Sequence, residues 1–295
     1  MTTAPDRLLR RLEWKLGRRL DGRLQGSYRT VWHGAGLDFT DLRAYSPEDD
    51  VRHIDWNVTA RLDEPFVRQY TEDREMTAWL VVDRSASMRF GGGAGKESTA
   101  SELAVAVARL ISQGGNRVGA ILYDNSGHRV IPPRTGRDQI LRLARELSSG
   151  FTPKKSDKTT DLTGMLRFAA NTTARRRSLV FVMSDFIGDP GWDRPLAQLT
   201  HRHEVVVIRV VDPSELELPD LGLVLVEDAE TGEQLLVDTS DPLLRARLTE
   251  QVGAREDELA AGMRKAGVDA HRITTDQDMM ATLVDMVRRS GRRRR

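Results

Sequence analysis

A carboxylate and two hydroxyls alternate where an apolar run ends, Trp79-Leu80-Val81-Val82-Asp83-Arg84-Ser85-Ala86-Ser87. A loop turning after a strand can aim Asp83, Ser85 and Ser87 at one point while the residues between them face away. Two further oxygen donors stand downstream. Thr160 follows a polar loop, and Asp185 closes a second apolar run, Leu179-Val180-Phe181-Val182-Met183-Ser184-Asp185. Carboxylates and hydroxyls together suit a hard divalent cation. The 295 residues contain no cysteine, which excludes disulfides, thiolate chemistry and Cys-built zinc sites and leaves oxygen donors and six histidines as ligands.

These donors need elements to hold them. Short apolar runs at 79–83, 118–123, 179–183 and 205–211 are rich in Val, Ile and Leu, as strands buried on both faces are. Helical patterns fill the gaps. Residues 99–112 open on a capping box, Thr99-Ala100-Ser101-Glu102, align Leu103, Val107, Leu110 and Ile111, and stop at Gly114-Gly115. Similar patterns cover 161–173 and 191–202. The alternation predicts an α/β fold, an open, mostly parallel, doubly wound sheet with helices on both faces. Ligands bind such sheets outside the carboxyl ends of the strands, at the switch point between the two directions of winding. Asp83, Asp124, Asp185 and Asp212 each follow a predicted strand. Further on, 223–227 and 234–238 read as a hairpin around Glu230-Thr231-Gly232-Glu233. A long helix then runs from Asp241-Pro242 to about 266, followed by a strand at 268–273 and a helix at 277–289.

Before the sheet, residues 5–25 place Leu8, Leu12, Leu16 and Leu20 at helical spacing among arginines, an amphipathic helix with a basic face. Residues 32–75 turn to aromatic, Gly and acidic clusters, a small irregular module with strands expected near 66–75. The expected organisation is an N-terminal helix and extension over 1–75, the sheet domain over 76–289, and a basic tail, Ser290-Gly291-Arg292-Arg293-Arg294-Arg295, over 290–295. The 45 basic and 44 acidic residues give a net charge of +1, so no global field draws the chain to nucleic acid or membrane. No stretch approaches the roughly 18 apolar residues of a membrane span, and the expected location is the cytoplasm.

The Asp83-x-Ser85-x-Ser87 motif, then Thr160, then Asp185, resembles the metal-ion-dependent adhesion site of von Willebrand factor A domains over residues 76–275. The resemblance implies a von Willebrand factor A-like, Rossmann-like domain. It implies that Ser85, Ser87 and Thr160 offer hydroxyl oxygens to Mg²⁺ (or Mn²⁺), that Asp83 and Asp185 bind directly or through water, and that one position stays open for an acidic side chain of a partner. Thr159 competes with Thr160 as the third-loop hydroxyl, Thr160 being preferred, and Phe186 stands where many A domains carry Gly. Upstream, Gly34-Ala35-Gly36-Leu37-Asp38-Phe39-Thr40-Asp41-Leu42-Arg43-Ala44-Tyr45 and Glu48-Asp49-Asp50-Val51-Arg52-His53-Ile54-Asp55-Trp56 resemble the bacterial domain-of-unknown-function family fifty-eight. That resemblance implies a non-enzymatic interaction module and a MoxR-type AAA+ ATPase, or its client, as partner in protein remodelling or maturation.

Other patterns carry less. Gly91-Gly92-Gly93-Ala94-Gly95-Lys96 lacks the Gly at 90 and the Ser or Thr at 97 that a phosphate loop needs, having Phe90 and Glu97; a flexible loop beside the metal is expected instead. His201-Arg202-His203 reads as surface histidines. The charges and aromatics from Asp38 to Arg61 suit internal ion pairs or a partner surface, and the arginine tail a solvated end. No Gly-x-Ser-x-Gly elbow exists for a serine hydrolase. The rival is a Mg²⁺-dependent phosphohydrolase with Asp83 as nucleophile, disfavoured because Ser85 stands where such enzymes carry a second acid.

Overall fold

Each apolar run becomes a strand because its Val, Ile and Leu side chains find cover on both sides. The computed structural model describes residues 37–283 apart from 48, 63, 73–75, 90–94, 125–126, 150–159, 218–219, 228–233, 269 and 280. The amphipathic segment 5–25, the glycine run 91–93, Thr159 and the arginine tail lie outside the described residues.

The described chain begins with β1 (Leu37–Ala44), α1 (Trp56–Leu62) and β2 (Phe66–Glu72). The two strands pair antiparallel, with an irregularity between Phe39 and Asp41. Within this segment Arg43 clamps Asp49 at 2.7 and 2.5 Å, and Asp55 caps α1 by accepting from Asn57 N at 3.0 Å. Trp56 stays 68% exposed. The strand expected near 66–75 is β2; its partner β1 falls in what reads as irregular sequence.

The sheet domain runs β3 (Thr77–Asp83), α2 (Lys96–Gln113), β4 (Arg117–Asp124), β5 (Gly127–Arg134), α3 (Arg137–Ser148), α4 (Leu162–Thr173) and β6 (Leu179–Ser184). It continues with α5 (Asp193–Arg202), β7 (Glu204–Val211), β8 (Leu223–Glu227), β9 (Gln234–Asp238), α6 (Pro242–Lys265) and β10 (Ala270–Thr274). Six strands form one sheet in the order β10-β7-β6-β3-β4-β5, parallel except for β5. Counted from β3, this is the doubly wound order 3-2-1-4-5-6, whose direction of winding reverses between β3 and β6. Alternate residues of each strand feed two cores. Leu80, Val82 and Phe181 pack with Leu103, Val107 and Leu143 on one face; Val81, Val180 and Val182 pack with Leu166, Leu196 and Leu199 on the other.

The structure departs from the sequence reading at three points. α2 starts at Lys96 with Gly95 at its N-cap and no side-chain cap, so Thr99 lies inside the helix and its capping box does not form. The helix starts a turn earlier, at Lys96, whose side chain bonds to Asp185 and Glu215 beyond the carboxyl ends of β6 and β7. Strand β5 was not expected: its sequence is polar and carries Pro132 and Pro133, which an exposed antiparallel edge tolerates. No expectation covers α3 either, although Ile140, Leu143, Ala144 and Leu147 stand at helical spacing and are buried. The last helix begins at Met279, and most of its expected length lies outside the described residues. Among the described residues no helix is long and apolar enough to cross a membrane.

Two buried side chains set the shape of the loops around β6. Phe186 adopts φ 57°, a left-handed conformation otherwise confined to glycines among the described residues. The position after Asp185 therefore asks for the glycine seen in A domains, and a bulky side chain there costs about 1–2 kcal/mol. Burial offsets that cost, since Phe186 meets Trp192 edge to face at 5.1 Å between ring centroids. His203 is not a surface residue: it is buried, with Ser178 N donating to Nδ1 at 3.2 Å and Thr173 Oγ1 3.2 Å from Nε2.

Phe186→Ala should lose about 3–5 kcal/mol of stability, while Phe186→Gly, with the same cavity and no left-handed penalty, should be the more stable of the two by about 1 kcal/mol. Urea unfolding ranks them, and the reverse order would remove the strain argument. Burial, then the charges of Arg202 and Arg177, hold His203 below its ordinary 6.5. The neutral ring is thus favoured in the fold: its contribution is present above pH 6.5 and is lost as pH falls through the lowered folded pKa. Stability measured by urea unfolding should fall from pH 7 towards pH 5, and His203→Gln should flatten that slope.

Candidate metal centre

The crevice of a doubly wound sheet opens between the strands where winding reverses, here β3 and β6. Asp83 is the last residue of β3. Its Oδ1 accepts from Ser85 N at 2.9 Å and its Oδ2 from Ser184 Oγ at 2.6 Å. The Ser85 and Ser87 hydroxyls stand 3.0 Å apart. Arg84 points the other way, donating to Glu97 at 2.9 Å and to the carbonyls of Glu146 and Ser149 at 3.3 and 3.2 Å. That guanidinium ties the loop to α2 and the end of α3, while Arg84 N donates to Tyr123 O at 2.8 Å. Alternation along the loop thus separates an anchor from a cluster of oxygens.

Asp185 follows β6 and is buried. Its Oδ1 accepts from Ile187 N at 2.9 Å and its Oδ2 from Lys96 Nζ at 2.7 Å. Thr160 is buried just ahead of Asp161, which caps α4 by accepting from Gly164 N at 2.6 Å. The loops carrying Thr160 and Asp185 touch through Gly188, where an added Cβ would lie 2.5 Å from Thr160 O. The structure therefore brings Asp83, Ser85 and Ser87 together with direct contacts, and places Thr160 and Asp185 on loops of the same crevice. Asp124 and Asp212, also at strand ends, cap turns instead: Asp124 accepts from Gly127 N at 2.9 Å and Asp212 from Ser214 N at 3.0 Å.

Lys96 is the residue that motif reading passes over. Its side chain is fully buried at the first position of α2, and it also bonds to Glu215 Oε1 after β7. A cation at a helix N-terminus meets the positive end of the macrodipole, so the two carboxylates must hold it there. That mismatch is visible in the sequence as a lysine opening a helix whose buried positions are otherwise small or apolar. The lysine that ends the glycine run is buried at the start of a helix rather than part of a flexible loop.

The electrostatics follow from the geometry. Burial, and next the charge of Asp185, push Asp83 up to about 6, against the hydrogen bonds from Ser184 and Ser85 that favour its anion. Burial also raises Glu215, with Lys96 opposing. Tyr123 is raised by burial and then by the charges of Asp161, Asp124 and Asp83. The crevice is electronegative even with Lys96 inside it, and a cation relieves that repulsion. Among the described residues no group of three His, Cys, Asp or Glu side chains gathers for a metal. Hydroxyls must then complete any coordination shell, a donor set suited to Mg²⁺ or Mn²⁺. His201 is exposed and His203 is held by Ser178 and Thr173, so this pair supplies no ligand.

Comparison with known proteins places the chain. An uncharacterized protein of Mycobacterium tuberculosis, Rv1480, is 38% identical over 290 residues, covering 97% of this chain and 89% of its own. An uncharacterized Mycobacterium bovis protein, Mb1516, matches to the same extent. Among solved structures, BatB of Bacteroides thetaiotaomicron aligns over 74% of this chain and 99% of its own at 13% identity and a TM-score of 0.46. The SpRpn10 VWA domain aligns over 72% and 94% at 10% identity and a TM-score of 0.38. Residues 41–258 match the family model described as "Protein of unknown function DUF58", and the chain belongs to that family.

Proposed function

We propose that this protein is a non-enzymatic interaction module of the cytoplasm whose crevice binds Mg²⁺ or Mn²⁺ and presents it to a carboxylate of a partner. The observation that carries this reading is the cluster of Asp83, Ser85 and Ser87 beside Asp185, with the two carboxylates close enough to disturb one another. Ser85, Ser87 and Thr160 would supply hydroxyl oxygens, and Asp83 and Asp185 charge. A bound dication would act as a Lewis acid for one external oxygen. The chain's own residues do the rest. Arg84 fixes the loop, Ser184 orients Asp83, and burial excludes competing water.

Both oxygens of Asp83 accept hydrogen bonds, which suits a held ligand better than a nucleophile that must present a free oxygen to phosphorus. The proposed partner is a MoxR-type AAA+ ATPase or its client, a reading that rests on family resemblance.

Asp83→Asn keeps the shape and removes the charge. Mn²⁺ titration should show affinity falling by at least about tenfold, the scale at which even outer-shell partners of a metal matter. The circular dichroism spectrum should be unchanged. Capture of a MoxR-type AAA+ ATPase should require Mg²⁺ and be lost with a chelator or in Asp83→Asn. Equal capture with and without metal would overturn the adhesion-site mechanism.

Lys96→Met leaves Asp185 and Glu215 without their buried cation and should cost about 3–5 kcal/mol in metal-free buffer. Mg²⁺ should raise the melting temperature of this variant more than that of the wild type, because a dication replaces the missing charge. A variant that Mg²⁺ does not rescue would show that the metal does not reach Asp185.

A further inference from the structure

The β8–β9 ribbon forms a two-stranded sheet of its own. Such a ribbon is marginal in water without cover for one face. Leu225 pairs with Leu236 and Leu223 with Asp238, so Leu223, Leu225 and Leu236 share a face. They are 68%, 62% and 63% exposed, with Leu221 at 67% just before the ribbon. On the opposite face Val224 and Val237 are half-buried, while Val226 and Leu235, at the end of the ribbon nearer its turn, are 39% and 66% exposed. Leucines packed together on one face and facing water mark a docking surface.

Charge specifies what docks. Residues 212–241 contain ten Asp and Glu, and no Lys or Arg occurs from 210 to 244. An apolar strip set among acids fits a segment with its own apolar stripe flanked by cations. Residues 5–25 have that composition, with Leu8, Leu12, Leu16 and Leu20 four apart and seven Lys and Arg against three acids. As a helix, the twelve steps from Leu8 to Leu20 rise about 18 Å. A strand of five residues, the length of β8 and of β9, spans about 17 Å. Residues 26–36 join the segment to β1 and extend to at most about 40 Å.

We infer that residues 5–25 of this chain dock as an amphipathic helix on the leucine face of the β8–β9 ribbon, with their arginines meeting its acids. The inference is independent of the metal centre. It gives the basic leucine stripe an apolar counterpart within the same molecule, and it covers the ribbon.

Hydrogen–deuterium exchange of the full chain tests it. Replacing Leu8, Leu12, Leu16 and Leu20 by Ser should speed exchange across 223–238 several-fold, and a synthetic peptide of residues 5–25 added to this variant should restore protection. Raising salt should weaken the peptide's effect, as charge pairing requires. Wild-type protection should not change over a hundredfold dilution. Exchange unchanged by the leucine substitutions would overturn the inference. Protection lost on dilution would overturn it in favour of a second copy as the occupant.

Discussion

Two aspartates buried side by side repel one another, and the region around the crevice is arranged to hold them there. Water would screen the pair at a surface, but burial removes that relief and leaves Asp83 reluctant to ionise. The fold answers with fixed dipoles and one ammonium. Ser184 and the Ser85 amide serve Asp83, the Ile187 amide and Lys96 serve Asp185. The Ser85 and Ile187 amides donate from the aspartates' own loops, while Ser184 belongs to β6 and Lys96 to α2, so the cluster is complete only when β3, β6 and α2 are in place together. Local sequence alone cannot make it.

Position in the fold explains why, among the described residues, this crevice holds such a cluster. Winding reverses between β3 and β6, where the carboxyl ends of the two strands open a crevice. The Thr160 and Asp185 loops close it from one side through the contact that Gly188 permits. Phe186 then leaves the strand in a conformation that suits glycine, held by its contact with Trp192. The strain and the packing sit next to the aspartate they orient, as is common where backbone geometry serves a site.

The sheet and the oxygen donors were legible because both rest on short-range signals. Buried parallel strands announce themselves as unbroken Val, Ile and Leu, and Asp83-x-Ser85-x-Ser87 sits at the end of one. Apart from α3, whose spacing is a plain local signal, what escaped was long-range or marginal. Strand β5 earns its place by pairing with β4 at an edge, not by apolar content. Lys96 looks like loop punctuation until Asp185, 89 residues away, and Glu215, 119 away, are seen to meet it. His203 reads as exposed because its neighbours His201 and Arg202 are polar; its burial depends on α4 and the start of β6 closing over it.

Formal charge shows how the lysine and a metal can work together. Asp83, Asp185 and Glu215 ionised bring three negative charges, and Lys96 returns one positive charge. A dication cancels the remaining two. A crevice without Lys96 would stay anionic after loading and would repel an incoming carboxylate. With Lys96, a crevice holding the proposed dication would be formally neutral and would not repel an acidic side chain. On the proposed reading the buried lysine would do more than hold Asp185 and Glu215 together: it would set the charge at which a site holding a dication accepts an acidic partner.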